Sequence, residues 1–577
     1  MPNGALAGPA QGLERIVFWL NSSCQSGSGQ ITVTLDGETS NPLGFEITDA
    51  AIYFISVIDG DNNNNGQYVS AQGGSNGPWK DIYMFNPSFR GDGQYIIYVR
   101  GGIYSTLDAE LAFVAVKGPY GDSSKRKALI GYPGETAELN ALAASRGVLY
   151  QANYDPYGRS RYFTFSKINV SGGTGAFGIW GDYHRVVGCH MKDMRELAWS
   201  GVIMVDNATH ARIYGNRFEN CGYDSYKHNI YVKSHLYTIG GSPDSTCQYV
   251  YIGWNEFDSP YAIDNHGGTI FLSTQGYAYN IGHYTNHVWI HDNYFHDGNM
   301  DFLYTSDNYL VHYIYVHRNI FKGGTSGLAG IVIPQQSLNF EFYNNVFYQI
   351  GGAGKPMIFM GYDPSSSPSN PVFINNIWYG LPGQSFLMLE SGNQTLTSDH
   401  DLYYDADGIT ELPAAGNIVL SNAVAANPLL ADPPNGNFSP QSSSPVIDAG
   451  INVGLPYNGS APDIGAIEYD GTTPIGTVFQ ESLEKAPALN FSASPNPLNF
   501  GTTLHLNLSE SGPVSLFIYD LRGRLVARLW KADLQAGIHR FHWITADETS
   551  PSLPAGIYTA VLKQNNQGQM INLILIR

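Results

Sequence analysis

The sequence predicts an all-β chain: a right-handed parallel β-helix followed by a small Ig-like β-sandwich. Three observations predict it. First, one phrase of alternating apolar residues, then Asn, a variable residue, and Phe or Trp, recurs six times between residues 211 and 378. It carries Asn216, Asn255, Asn293, Asn319, Asn345 and Asn376, spaced 39, 38, 26, 26 and 31 residues apart. Repeats of that length mark a stacked solenoid. Second, the alternation inside each copy has the period of a strand, not of a helix. Third, the chain beyond about residue 490 changes to short alternating strands punctuated by Gly, Pro and Asn turns, the pattern of a small sandwich.

The solenoid follows from stacking one copy on the next. Coils about 4.8 Å apart bring the six Asn side chains into a ladder, each amide bonding its neighbour and satisfying buried turn groups. A second strand precedes each copy: Val202–Val205, Ile230–Val232, Ile270–Leu272, Phe302–Tyr304, Ile331–Ile333, Ile358–Met360 and Phe386–Met388. Seven coils therefore align on two faces, with longer loops such as 238–248 and 275–286 walling a groove. Leucine is too sparse for a leucine-rich repeat, and no four-strand blade pattern supports a propeller. Residues 1–64 read as a β leader or cap, 65–470 as the solenoid, 471–491 as a linker and 492–577 as the C-terminal sandwich.

Composition fits this architecture. At 577 residues the chain exceeds one ordinary domain, but a solenoid core grows in one dimension. Charged residues are only 14%, while Gly (65) and Tyr (39) are abundant. The net charge of −19 argues against nucleic acid, which selects a basic stripe. No apolar run of about 18 residues is present to span a membrane. The start, Met1-Pro2-Asn3-Gly4, lacks the regions of a secretory signal, so the chain reads as a mature or trimmed form. No CxxC pair occurs among Cys24, Cys189, Cys221 and Cys247, which excludes the usual zinc and redox patterns. Cys189 and Cys221 fall on neighbouring coils, as a disulfide or as small core residues. Asp61 to Gly66 opens like a calcium loop, but Gln72 replaces the final Glu, and an Asn-Gly turn is the simpler reading.

From Tyr68 onward the phrases become specific. Tyr68-Val69-Ser70, Gly77-Pro78-Trp79-Lys80, Tyr98-Val99-Arg100-Gly101-Gly102-Ile103-Tyr104 and Lys127 to Glu135 occur in order, and Ser444 to Gly450 with Asp463 to Tyr469 close the solenoid. This series resembles secreted bacterial parallel β-helix proteins of the polysaccharide lyase-like superfamily. Ser494-Pro495-Asn496-Pro497, Val514 to Arg524, Leu553 to Tyr558 and Ile571 to Arg577 resemble the C-terminal sorting domain of the type IX secretion system. The resemblances imply a secreted or outer-membrane-attached protein, exported by that machinery, acting as a monomer on a polysaccharide.

The chemistry implied is β-elimination at a uronic acid: a base removes the proton beside the carboxylate, and a cation neutralises that carboxylate. On the strands that precede the repeats, Ile203, Val205, Ile230, Val232, Ile270 and Leu272 point inward. Met204, Tyr231 and Phe271 then point outward, and Asp206, Lys233, Ser273 and Thr305 fill the next outward slot. Lys233 is the first choice of base and His228 the second, with Lys227 as the neighbouring cation and Tyr231 as proton donor. Tyr226, Tyr304, His235 and Phe271 would bind sugar, and Asp206 and Asp224 would hold Ca2+ or orient the base. A glycoside hydrolase would need paired carboxylates instead, drawn from Asp206, Asp264, Asp301 and Asp307. The polygalacturonase motif series is absent, and Trp289-Ile290-His291-Asp292 only echoes the pectate lyase phrase. A non-catalytic glycan-binding or adhesive surface protein is the rival from another class. His291 and His317 occupy one slot of adjacent coils, as a ladder of rings or as a metal pair.

Overall fold

Alternation buries every second side chain, and the inward rows of successive coils build one continuous core. The computed structural model describes residues 27–31, 34–35, 38–39, 43–47, 50–105, 114–116, 120–140, 149–151, 160–173, 175–194, 201–221, 228–236, 246–258, 268–276, 284–297, 301–305, 311–323, 329–333, 338–360, 370–389, 395–408, 412–413, 418–469, 490–494, 501–508, 512–520, 524–534, 537–544, 553–554, 556–564 and 567–575. These fall into two compact units.

The larger unit is a parallel β-helix of three long sheets, with 10, 13 and 12 strands, here sheets A, B and C. One coil runs through Gly201–Asp206 in sheet A, Arg212–Tyr214 in sheet B and Arg217–Glu219 in sheet C. The sequence suggests two faces; the repeated phrase is in fact broken at its Asn into strands of two different sheets. The residue before each Asn causes the break. Gly215, Trp254, Asp292, Arg318, Asn344 and Asn375 all have positive φ, between 51° and 62°, which turns the chain sharply at the same corner. Ala51–Ile55, grouped with the leader by sequence, is the first strand of sheet B and pairs parallel with Tyr95–Val99.

Coil-to-coil register is continuous. Ile203, Ile230, Ile270, Leu303, Ile331, Ile358 and Leu387 lie in one column of sheet A. The aromatic residue two places after each Asn forms an inward stack: Phe218, Phe257, Phe295 and Phe321 have centroids 4.8, 4.6 and 4.6 Å apart, with Phe347 and Trp378 beyond. The Asn ladder is also formed. Each Oδ1 accepts from the backbone N–H and the Nδ2 of the preceding Asn, from Asn216 to Asn376, at 2.9–3.0 Å. Each Nδ2 also donates to a carbonyl of the previous coil, as Asn293 does to Ile252 at 2.9 Å.

The seventh rung is Asp401, which accepts from the N–H and Nδ2 of Asn376 and from Ser398 Oγ. Burial pushes its carboxyl up to about 7, against the hydrogen bonds from Ser398, Asn376 and Trp378 that favour the anion. The raised value means that the folded state holds this proton more tightly than the unfolded chain does. Stability from this group is thus present below about pH 4, falls as pH rises toward 7, and levels off above. Asp401→Asn keeps the acceptor on the ladder and removes the charge. We expect it to gain up to about 4 kcal/mol relative to the parent at pH 8 and much less at pH 5. Urea midpoints at the two pH values measure this, and equal gains at both would refute it.

The N-terminal end and one outer face of the solenoid are covered. At the N-terminal end Trp79 is buried, stacks on Tyr53 at 4.8 Å and lies 4.2 Å under the Arg90 guanidinium. Phe85 packs edge-on against Phe163 and Phe165. After the last coils, Leu430, Phe438, Val446 and Ile464 pack over Tyr294, Ile320, Val346 and Ile377 on the outer face of sheet C. The closing phrase is tied down by Asn344 and Asn375, whose Nδ2 groups donate to the carbonyls of Asp463 and Ile451. Cys189, Cys221 and Cys247 are buried thiols. The first two are therefore core residues and not a disulfide, with thiols against carbonyls such as Val187 and Met191.

The smaller unit has an apolar core of its own, built on Leu504, Leu516, Ile518, Trp543, Leu562 and Leu573. Asn490–Ser494, Gly501–Leu508 and Gly537–Ile544 form a three-stranded antiparallel sheet. Gly512–Asp520, Leu525–Leu534, Gly556–Gln564 and Gln567–Leu575 form a four-stranded one. The short strands Gly27–Ile31 and Leu43–Ile47, also paired antiparallel, group with this unit.

Candidate functional site

In a strand buried on one face, the next residue must point outward, so the inward column of sheet A dictates what its outer face displays. Met204, Tyr231, Phe271 and Tyr304 are in register along that face. Two residues on, Asp206 lies opposite Lys233 and Lys233 opposite Ser273, while Ile179 opposite Val205 places Trp180 at the head of the same row.

Lys233 and Asp206 are an ion pair, with Nζ 3.4 Å from Oδ2. Neither is a solvated surface charge, because Lys233 is only 7% exposed and Asp206 only 1%. Burial pushes the Asp206 carboxyl up, against the attraction of Lys233 and the bond from Trp180. Among the described strands of sheet A, Lys233 is the one Lys or Arg. Its ammonium sits 5.4 Å from the centroid of the Tyr231 ring, within cation–π range. The Tyr231 hydroxyl is 3.0 Å from Ser273 Oγ and also accepts from Gln275 Nε2. His228 stacks on Phe271, with centroids 4.4 Å apart and planes 9° apart, and meets Tyr231 edge-on at 5.4 Å. The arrangement is one buried cation beside a hydrogen-bonded phenol that packs against two further aromatic rings.

The structure thus brings together Lys233, Tyr231, His228, Phe271 and Asp206. His235 follows Lys233 by two residues, and burial, then Lys233, pushes its imidazole down to about 4, so it is neutral at pH 7. The backbone of Tyr304 aligns with Phe271. Asp224, Tyr226 and Lys227 lie outside the described residues, as do most of loops 238–248 and 275–286. Sequence reasoning missed Trp180 and Gln275. Extending the alternation one coil back, and one step along the strand, would have found both. Beside the Asp206 carboxylate stands the Lys233 ammonium.

Other sequence candidates are occupied structurally. Asp61 accepts from the N–H and Nδ2 of Asn63, and Asn62 accepts from the N–H groups of Lys80 and Asp81, so this loop is a hydrogen-bonded turn. His291 and His317 stack at 5.2 Å, with His291 bonded to Asp292, which Arg318 also holds. At the corner entering sheet B, Tyr162, Tyr183, His210, Tyr249, His287 and Tyr313 form a six-ring stack, and all have positive φ.

No family model matches the chain, and no curated protein matches it. Solved structures that show similarity include the following two. One is the catalytic domain of a GH87 α-1,3-glucanase in complex with nigerose, at 14% identity and a TM-score of 0.28, covering 63% of this chain and 64% of that one. The other is the enzymatically active domain of bacteriophage CBA120 tailspike protein 4, at 9% identity and a TM-score of 0.12, covering 84% of this chain and 62% of that one. The chain spans less than two thirds of either.

Proposed function

We propose that the outer face of sheet A engages an extended polysaccharide and that Lys233 serves elimination at a uronic acid residue. The single observation that carries this reading is the buried Lys233, alone of its charge among the described strands of this sheet, beside the Tyr231 ring against which Phe271 and His228 pack in turn. An acidic sugar polymer needs a cation, and its apolar sugar faces need rings. In the proposed step Lys233 attracts the uronate as an ammonium and, once the sugar is seated, passes a proton to Asp206, whose burial favours the neutral acid. The free amine takes the proton beside the uronate carboxylate. The C–H electron pair becomes a carbon–carbon double bond as the glycosidic C–O bond breaks, and the Tyr231 hydroxyl protonates the leaving oxygen.

Hydrolysis by Asp206 with Asp301 is disfavoured by register. Asp301 shares a column with Gly268 and His228, five residues along the strand from the Asp206 row and three coils away. That is about 20 Å, well beyond the roughly 5–10 Å that paired carboxylates need. Export by the type IX route rests on the C-terminal phrases and is part of the same proposal.

The test is a panel of pectin, alginate, glycosaminoglycans and neutral glucans. Absorbance near about 235 nm, which reports unsaturated products of elimination, is expected with a uronate polymer. New reducing ends without that absorbance would mean hydrolysis. Retention on a glycan with neither signal would mean a binding protein.

A further inference from the structure

We propose that Glu256, Asp258 and His296, on the outer face of sheet C, form a site for a divalent transition-metal ion of the zinc class. Glu256 and Asp258 are two apart on the strand Glu256–Asp258, so both point outward. The next coil places His296 opposite Asp258. One donor atom from each of the three lies within 4.8 Å of the others. Two carboxylates and an imidazole are a donor set that suits zinc and its neighbours better than calcium, which prefers oxygen alone.

Three further observations point to a ligand. Glu256 has a side chain only 4% exposed, and its Oε2 is buried with no hydrogen-bond partner. The nearest cation to that oxygen is Arg217 Nη1 at 4.0 Å, too long for a hydrogen bond, because Arg217 is engaged with Asp258 at 2.8 Å. His296 Nε2 faces Glu256 Oε1 at 3.2 Å, while Nδ1 faces Asp297 Oδ2 at 2.8 Å. Asp297 on Nδ1 aims Nε2 at Glu256, as a carboxylate partner does for a metal-bound imidazole, and Asp258 Oδ1 lies 3.8 Å from Nδ1 at the edge of the same ring. Finally, with His190 and His296 as neutral imidazoles, the carboxylates Glu219, Glu256, Asp258 and Asp297 outnumber the cations Arg217 and Lys192 by four to two, an excess that one divalent ion would neutralise. The site lies on a different sheet from Lys233, so it stands or falls independently of the proposed chemistry.

The test is calorimetric titration of the full chain, first stripped with EDTA, using ZnCl2, CoCl2, MnCl2 and CaCl2. We expect one Zn2+ per chain, Co2+ binding with a visible d–d spectrum, and weak or no Ca2+ binding. His296→Gln and Asp258→Asn should each weaken Zn2+ binding at least tenfold and abolish the Co2+ spectrum. Zn2+ should raise the melting temperature of the parent and not of either variant. His400→Gln, on a different side chain of sheet B's end, is the control and should bind like the parent. Absence of Zn2+ binding to the parent, or binding that survives both His296→Gln and Asp258→Asn, would show an ion-pair network and overturn the proposal. If one variant fails to fold, the other and the parent's cobalt spectrum still decide.

Discussion

Lys233→Ala is expected to lower the rate of uronate elimination by about 10²–10⁴-fold, the usual contribution of a positioned general base. The same change strands Asp206, which is 1% exposed. Removing one partner of a buried pair costs about 3–5 kcal/mol when the other stays charged. Lost activity alone would therefore not separate chemistry from folding. Two further variants do. Asp206→Leu with Lys233→Met replaces the pair by apolar groups of similar size, a change that is often neutral for stability. It should melt near the parent and still be inactive. Lys233→Arg keeps a cation opposite Asp206 but cannot shed its proton, since guanidinium stays charged. Elimination should be lost in Lys233→Arg if Lys233 is the base. Near-parent turnover in that variant would instead assign Lys233 to neutralising the substrate carboxylate and move the base to His228, 5.4 Å from Tyr231 by ring centroids.

Much of this site was legible because a strand has a rigid period of two. Once Ile203, Ile230 and Ile270 are taken as inward, the rows Met204–Tyr231–Phe271 and Asp206–Lys233–Ser273 follow, and both are in register. The third face was not legible. Its cause is the left-handed residue before each Asn, filled by Gly215, Trp254, Asp292, Arg318, Asn344 and Asn375. Four of those six are Gly, Asp or Asn, which tolerate a left-handed backbone, but Trp254 and Arg318 are not of that set, so residue type alone does not announce the corner. The Glu256–Asp258–His296 cluster was hidden for a related reason. Asp258 and His296 are one coil apart in space, but uneven loops make that distance unpredictable along the chain. The coils before residue 200 were also unreadable by the repeat, because the ladder begins at Asn216. The rung below it is Cys189, which supplies only its backbone N–H, to Asn216 Oδ1 at 2.9 Å. The burial of Lys233 could not be foreseen either; the sequence placed it on an outer face, where a lysine is ordinarily solvated.

Asn293→Leu should cost about 4–6 kcal/mol, the largest stability loss expected of any single outward or corner substitution in the solenoid. The side chain sits mid-ladder and is fully buried. Its Oδ1 accepts from Asn255 N–H and Nδ2, both at 2.9 Å. Its Nδ2 donates to Ile252 O and to Asn319 Oδ1, both at 2.9 Å. Leucine keeps the branched skeleton, but its methyl groups are bulkier, so crowding adds to the loss. It leaves two donors and one carbonyl unpaired in a dry corner, at about 1–3 kcal/mol each. Asn293→Asp restores the acceptor for Asn255 but presents a carboxylate to Ile252 O and Asn319 Oδ1. It should be nearly as damaging at pH 8 and recover partly at pH 4, where protonation returns one donor. Asn216→Leu, at the end of the row, should cost less, since the rung before it is Cys189 and offers no side-chain amide to strand. Urea midpoints for the three variants test this order. Equal losses at Asn216 and Asn293 would mean that each amide acts alone; a larger loss in the middle would mean that the rungs hold one another in place, which is how a solenoid with loops of such different lengths keeps its coils in register.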